Sequence, residues 1–464
     1  MQTMTPFPTE HREIVIIGAG PAGAVAAALL KRQGHDVLIL ERQYFPRFSI
    51  GESLLPHSME FLQQAGMLEA VEAAGFQHKN GAAFAWRDQY TDFDFREKFS
   101  PGPGTTFQVL RSRFDKILAD QAALQGVEIR YGHTVETADF AGPTATLGVS
   151  GPDGDHPGHA DPTTTITADF VLDASGYGRV LARLLDLERR SSLPPRRALF
   201  THIEDRIDDP AYDRDKILIT VHPDQPGIWY WLIPFADGRC SIGAAGDIGA
   251  NAAQADNATR LRELVDAAPN LRGLLHHAQW DTPVNALDGY AASVTRLHGP
   301  GYALLGNAAE FLDPIFSSGV TIALKSAHLA ADLVHRQRGG AAVDWEAEFA
   351  VPLMRGVETF RTYVHGWYEG TFRDVIFHPD PDPEIRRMLS SILAGYAWDT
   401  SNPFVERAQR RLDMLTTYCR SAQQTADAQH PQRPLASDPM TTGMTAPSAG
   451  ALTPPCGRPA PDQP

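Results

Sequence analysis

The chain predicts an α/β fold with a covered parallel sheet, a mainly antiparallel second sheet and a helical C-terminal region. Three observations carry that expectation. The run Glu13-Ile14-Val15-Ile16-Ile17 is apolar after its first residue and β-branched, as a strand covered on both faces should be, and it ends at glycine. Segments of alternating polarity dominate from Ala198 to Tyr290, among them Lys216 to Val221, Ile228 to Pro234 and Cys240 to Ala245, which is the pattern of an antiparallel sheet. Residues from Asp344 to Ala428 read as helical, with interruptions at Pro379, Pro381 and Pro383.

In chain order, Met1 to Arg12 is polar and reads as a short leader. The first strand runs into Gly18-Ala19-Gly20-Pro21-Ala22-Gly23. A helix follows from Pro21 to Gln33, closed by Gly34, and Asp36 to Glu41 forms the second strand. That βαβ context turns a weak glycine pattern into a dinucleotide-binding one. Gly18 makes the bend, Gly20 lets backbone approach a pyrophosphate, and Gly23 packs helix on strand. The phosphates sit over the helix N-terminus around Ala22, and Glu41 is placed for the adenosine ribose. Arg47 to Pro56 reads as a loop, Leu55 to Ala73 and Leu110 to Leu124 as helices, and Val127 to Tyr131 and Thr144 to Val149 as strands. A Gly/Pro/Asp/His-rich excursion covers Ser150 to Asp161. The strand Phe170 to Asp173 and later Tyr302 to Gly306 return to the first sheet, and a helix runs from Gly319 to Arg336. The division expected is a leader 1–12, a nucleotide-binding domain 13–190, a mainly antiparallel substrate domain 191–298, a return segment 299–343, a helical region 344–428 and a disordered tail 429–464.

Composition narrows the function. At 464 residues the chain can bury a large core. A net charge of -15 argues against nucleic acid and anionic membrane surfaces as partners. The three cysteines, Cys240, Cys419 and Cys456, are dispersed and lack metal-ligand spacing, which suits a reducing cytoplasm and no metal site. No stretch has the length and apolarity of a transmembrane helix.

The segment Trp229-Tyr230-Trp231-Leu232-Ile233-Pro234 places two indoles on one face of a strand. Alone it would read as a core strand. Its company is Gly18 to Gly23 and Phe311-Leu312-Asp313-Pro314-Ile315-Phe316-Ser317-Ser318-Gly319. Together these resemble the flavin-dependent halogenases, whose pattern combines GxGxxG, WxWxIP and FxxPxxSxG. The resemblance covers residues from about 10 to 425 and is closest to phenol and pyrrole halogenases that act on carrier-bound substrates.

That resemblance implies a three-layer ββα FAD-binding, Rossmann-like domain, with FAD, halide (chloride or bromide) and O2 as the reacting partners. A flavin hydroperoxide would oxidise halide to hypohalous acid, and Lys79, in Lys79-Asn80-Gly81-Ala82-Ala83-Phe84-Ala85-Trp86, would carry the halogen by hydrogen bonding or as a haloamine. The plain alternative for Lys79 is a surface lysine with a snorkelling stem. Arg47 and Arg111 lie in flavin-contacting segments, though surface salt bridging would also explain them. Asn307 stands in Leu305-Gly306-Asn307-Ala308-Ala309, where the family's second flavin fingerprint has an acid. Ser318 and Gly319 would hold the halide, with Val320 against the flavin ring; alternatively Ser317 and Ser318 only cap the helix.

By the same resemblance Trp229 and Trp231, with Ile233 and Pro234, would shield the flavin from substrate. Phe316 replaces the glutamate of tryptophan halogenases, which favours an electron-rich phenol or pyrrole ring and argues against free tryptophan. The aromatic stretch Phe360 to Tyr368 would close over the site, and Arg407, Arg410 and Arg411, spaced on one helix face, would meet an acidic carrier or form a plain solvated face. The absence of a second strand–GxGxxG–helix unit points to a separate NAD(P)H flavin reductase. The rivals are an aromatic hydroxylase and a flavoprotein that matures a partner enzyme without halogenating anything.

Overall fold

The computed structural model describes residues 9–152, 164–249 and 256–429. Strand Thr9–Ile17 lies inside an eight-stranded sheet, with Val37–Glu41 on one side and Thr164–Asp173 on the other, both parallel to it. Glu128–Tyr131 and Tyr302–Leu304 extend the parallel part outward. His298–Gly299 and the hairpin of Thr134–Asp139 with Ala145–Ser150 add antiparallel edges. The run Ile14, Val15 and Ile16 is fully buried, as its unbroken apolar pattern requires.

This strand begins four residues earlier than the sequence reading placed it. Thr9 to Arg12 pair with Thr165 to Ala168, so the expected leader 1–12 is too long, and residues 1–8 lie outside the described residues. The polarity that suggested a leader is used in ion pairs to neighbouring segments: Arg12 reaches Asp36 at 2.8 Å and Glu128 at 2.6 Å, and Glu10 reaches Arg130 at 2.7 Å. The helix expected over Leu55 to Ala73 is instead two short ones, Ser58–Gln64 and Leu68–Glu72. Gly66 interrupts them at φ +68°, and the amides of Gly66 and Met67 turn back to the carbonyls of Gln63 and Leu62.

The second sheet has seven strands in the order Asn285–Asp288, Arg197–Glu204, Arg239–Gly246, Ile228–Pro234, Lys216–Val221, Gly81–Trp86 and Gln89–Asp94. All neighbours are antiparallel except Lys216–Val221 with Gly81–Trp86. The hairpin 81–94, which the sequence division put in the nucleotide-binding part, therefore belongs to the second sheet. Its small apolar residues Ala82, Ala83 and Ala85 allow cover on both faces.

Strand Ile228–Pro234 is buried throughout, and its side chains sort by period two. Trp229, Trp231 and Ile233 join the main core, whereas Ile228, Tyr230 and Leu232 join a second cluster with Leu261 and Leu264 of the helix Asn257–Asp266.

Helix Ser318–Arg338 begins one residue before the expected start. The C-terminal region is helical, with Val351–Glu369, Thr371–Ile376, Pro383–Leu393, Pro403–Glu406 and Ala408–Gln429. Pro383 starts a helix and does not break one: Asp382 caps it by accepting from the amides of Glu384 and Ile385. Residues up to Arg420 form one compact unit. Residues 421–429 belong to a separate unit, and the expected disordered tail from His430 lies outside the described residues, as do residues 153–161 of the Ser150–Asp161 excursion. No helix among the described residues is long and apolar enough to cross a membrane.

Candidate active site

A cavity of about 400 Å³ opens where the central parallel strands end, bounded by Gly18, Glu41, Ala174 and Leu305. Gly18 adopts φ +99°, and a Cβ there would stand 2.7 Å from the Ala174 carbonyl oxygen, so only glycine makes this bend. A Cβ on Gly20 would point towards the Arg47 Nη2 at 3.4 Å, on the cavity wall. Gly23 is off the wall and packs against Gly18, which is the helix–strand contact its spacing predicts. Helix Pro21–Arg32 carries no side-chain cap and no acid in its first turn, and Ala22 lines the cavity beside it. Its free amides are therefore open to an anion.

Glu41 is 5% exposed and fixed by the amides of Ala19 at 2.8 Å and Gln43 at 2.9 Å. Its remaining lone pairs can accept ribose hydroxyls. Arg47 stands 3.5 Å from Asp115 and 3.8 Å from Glu41, and its buried Nε has no partner among the described residues. Together the bare Gly20, the open amides and the Arg47 guanidinium on the cavity wall, with its Nε unpaired, fit the pyrophosphate and ribose of FAD.

Arg111 is on the cavity wall and is also tied into the protein. It makes a two-pronged pair with Asp115 at 2.7 and 3.0 Å and donates to the Ile50 carbonyl at 2.7 Å. Most of its donors are committed to the protein, so it braces the Ile50–Gly51 loop. Asp173 was missed as a site residue. Fully buried at a strand end, it accepts from the amides of Ser175 at 2.9 Å and Leu181 at 2.7 Å, holding the turn Ala174–Gly178 against the cavity. Burial raises its carboxyl above the usual range. Its sequence signal was an acid ending a buried strand before Ala-Ser-Gly-Tyr-Gly.

The loop Phe311 to Gly319 closes another side. Asp313 caps a 3₁₀ turn over Pro314–Phe316, Ser317 takes a left-handed conformation (φ 55°), and the next helix starts with no side-chain cap hydrogen bond at Ser317. Ser317, Gly319 and Val320 line the cavity, and so does Asn307; Ser318, 2% exposed, lies behind the wall. Phe316 is off the wall as well, packed edge-on against Trp367 at 6.1 Å and Phe372 at 5.6 Å between ring centres. Trp229, Trp231 and Ile233 also line the cavity, whereas Pro234 does not. The two indoles stand 5.6 Å apart.

Lys79 ends a short strand, Gln77–Lys79, and is 1% exposed, which excludes a snorkelling surface lysine. Its Nζ donates to Ser53 Oγ at 2.7 Å and to the Leu54 carbonyl at 2.8 Å, and sits 5.5 Å from the centre of the Phe95 ring. Burial pushes the ammonium down to about 7. Lys79 does not line the cavity; Ser53 does. Beside it Glu52, another residue that sequence reasoning missed, lines the cavity and meets His202 Nε2 at 2.6 Å.

Two further expectations change. The aromatics Phe360, Tyr363 and Trp367 are core residues, each at most 1% exposed, and cannot close over anything. From that stretch, Tyr368 alone is hydrogen-bonded to a cavity-wall residue, accepting from Trp229 Nε1 at 2.8 Å. Arg407 sits in the break before helix Ala408–Gln429, so of the three arginines expected on one helix face only Arg410 and Arg411 lie within that helix. No group of three or more His, Cys, Asp or Glu among the described residues could hold a metal ion.

A family model described as FAD binding domain matches residues 11–345. Tryptophan 2-halogenase of Chondromyces crocatus is 31% identical over 334 residues, 69% of this chain, and the chain spans 60% of that relative's length. The 1H-pyrrole-2-carbonyl-(peptidyl-carrier protein) chlorinase of Pseudomonas fluorescens is 30% identical over 69% of this chain and 74% of its own length. Flavin-dependent halogenase gsfI of Penicillium aethiopicum is 30% identical over 76% of this chain and 70% of its own length. Among solved structures, a flavoprotein/dehydrogenase from Cytophaga hutchinsonii is 41% identical, with a TM-score of 0.84 over 89% of this chain and all of the other. With its FAD-binding cavity and these relatives, the chain belongs to the flavin-dependent halogenases.

Proposed function

We propose that the protein installs chlorine or bromine on an electron-rich ring of phenol or pyrrole type, carried as a thioester on a carrier protein, with reduced FAD supplied by a separate NAD(P)H flavin reductase. The observation that carries this reading is the pair Trp229 and Trp231 walling the flavin cavity while Lys79 lies desolvated behind Ser53. The Gly18–Ala22 turn, Glu41 and Arg47 would hold reduced FAD, which when bound would supply, from O2, halide and a proton, hypohalous acid and water, leaving oxidised FAD.

The chain's own residues then have distinct tasks. The backbone at Ser317 to Gly319 holds the halide at an uncapped helix start. The indoles keep the ring from the flavin, which disfavours direct oxygen transfer. With its ammonium lowered to about 7, Lys79 is largely neutral at mildly alkaline pH. As a free amine it accepts halogen from hypohalous acid, releasing water, or orients the acid by hydrogen bonding. The ring carbon takes the halogen, loses its proton, and the amine is restored.

Phe316 in place of a carboxylate supports a ring that needs no further activation. The relative named for a carrier-bound pyrrole supports this reading, whereas the one named for tryptophan has a substrate that Phe316 argues against here. A second reading, a flavoprotein without halide chemistry, is favoured by the name of the 41%-identical structure. Mass spectrometry of reactions with reduced FAD, each halide, and phenolic or pyrrolic acids, free and carrier-bound, separates them. The expected result is a halide-dependent halogenated product that Lys79→Ala abolishes while oxygen consumption persists. A hydroxylated product, or none under any condition, would overturn the proposal.

A further inference from the structure

We infer that Tyr368 and Asp313 form a clamp that sets the Trp229 indole and so governs how much oxidised halogen reaches the substrate; the inference rests on the halogenase reading above. Trp229 is 1% exposed and its Nε1 donates to Tyr368 Oη at 2.8 Å. Tyr368 donates in turn to Asp313 Oδ2 at 2.9 Å, and Tyr290 donates to the same oxygen at 3.0 Å. The other carboxylate oxygen accepts from the Ile315 amide at 3.1 Å. The Arg196 guanidinium lies over the Tyr368 ring, 3.3 Å from its centre.

The chain of donors has a single direction. An indole N–H can only donate, so Tyr368 must accept from it, and its one proton is left for Asp313. Asp313 then accepts from two hydroxyls and one amide. Reversing any link would leave a buried donor or acceptor unpaired, which is costly away from water. The indole plane is thereby tied to one setting.

What the clamp joins gives it a function. Asp313 lies in the same loop as Ser317 and Gly319, Trp229 is a wall of the flavin cavity, and Tyr368 lies at the end of helix Val351–Glu369 just before Gly370 (φ +90°). Trp231, by contrast, is held within its own sheet by Ser241 at 3.1 Å. Of the two indoles, Trp229 is therefore the one whose position depends on the halide loop and the C-terminal helix. Tyr368 and Asp313 are positioning residues: they act through Trp229 and through the loop.

The test reads the hydrogen bond and its consequence separately. In protein labelled with 15N-tryptophan, the indole N–H signal that disappears in Trp229→Phe identifies Trp229 among the seven tryptophans. Tyr368→Phe should move that signal and speed its solvent exchange by about tenfold or more. It should also lower halogenated product per reduced FAD by about fivefold, the size of one neutral hydrogen bond, with hydrogen peroxide rising to match. FAD affinity should change by less than about twofold. Combining Tyr368→Phe with Trp229→Phe should cost no more than the larger single effect, a coupling that general weakening of the fold would not produce. Asp313→Asn, nearly equal in shape, should give the same loss of coupling if Tyr368→Phe folds poorly. Unchanged product yield per flavin in both variants, or additive single effects, would overturn the clamp while leaving the halogenase reading intact. Absence of any halide-dependent product from the wild type would overturn that reading and the clamp's role with it.

Discussion

Lys79 sets stability against chemistry within one side chain. Its ammonium is buried with no carboxylate partner among the described residues, and burial lowers it from 10.5 to about 7. Between those values the unfolded chain holds a proton that the folded one lacks, so folding stability contributed by this group rises with pH across the window and is lowest below pH 7. The Lys79→Met variant removes the penalty. Relative to wild type, it should gain roughly 3 kcal/mol more stability at pH 7 than at pH 10, read from denaturant midpoints at the two values. A difference independent of pH would mean that the lysine is solvated in solution. At Gly20, where the structure leaves room for a phosphate and the nearest group is Arg47 Nη2, Gly20→Val should weaken FAD binding by about tenfold or more by titration. Full affinity in that variant would remove the basis for the pyrophosphate site. That Gly18, Gly20 and Glu41 meet at one cavity was legible because it follows from local spacing. Tyr368, Glu52 and Asp313 were not, because their partners lie 139, 150 and 55 residues away in the chain.

Elements were legible where one period governs them. Ile228–Pro234 shows its two faces in sequence, since odd positions carry the indoles and Ile233 while even positions carry Tyr230 and Leu232. Thr9–Arg12 failed for a different reason: its charges are used in ion pairs to neighbouring segments, which local polarity cannot reveal. The hairpin 81–94 has a plain strand pattern, but its choice of sheet rests on a parallel pairing with Lys216–Val221 far along the chain. Pairing also explains a glycine inside a buried strand. Gly243 faces Trp231 across the ladder, and a Cβ there would run into the indole ring. Gly243→Ala should therefore push Trp231 towards the cavity, costing about 1–3 kcal/mol of stability and weakening FAD binding in parallel. Thermal melts with and without FAD read both effects, and a loss of stability at unchanged FAD affinity would show that the indole yields away from the cavity.

At the scale of the whole molecule, the net charge of -15 bears directly on how a carrier-bound substrate could be received. An acidic carrier is repelled at long range, so any attraction must be local and short compared with a screening length of about 8 Å at physiological salt. Arg410 and Arg411 are exposed near the start of helix Ala408–Gln429, and Met414 and Tyr418, 55% and 63% exposed, follow at spacings of about one turn. A cationic pair beside two exposed apolar side chains matches an acidic partner that also buries a small apolar contact. Reversing both charges (Arg410→Glu with Arg411→Glu) should raise KM for the carrier-bound thioester by about tenfold, while kcat and the turnover of the free acid stay unchanged. Because the attraction is local, raising salt should weaken carrier turnover only modestly in the wild type, and the double variant should lose that dependence. If the free acid is turned over as well as its thioester, tethering is wrong and the helix face is only a solvated surface. If the thioester is preferred but the double variant leaves KM unchanged, the carrier docks elsewhere. Neither outcome touches the flavin cavity or Lys79, whose tests depend on no partner.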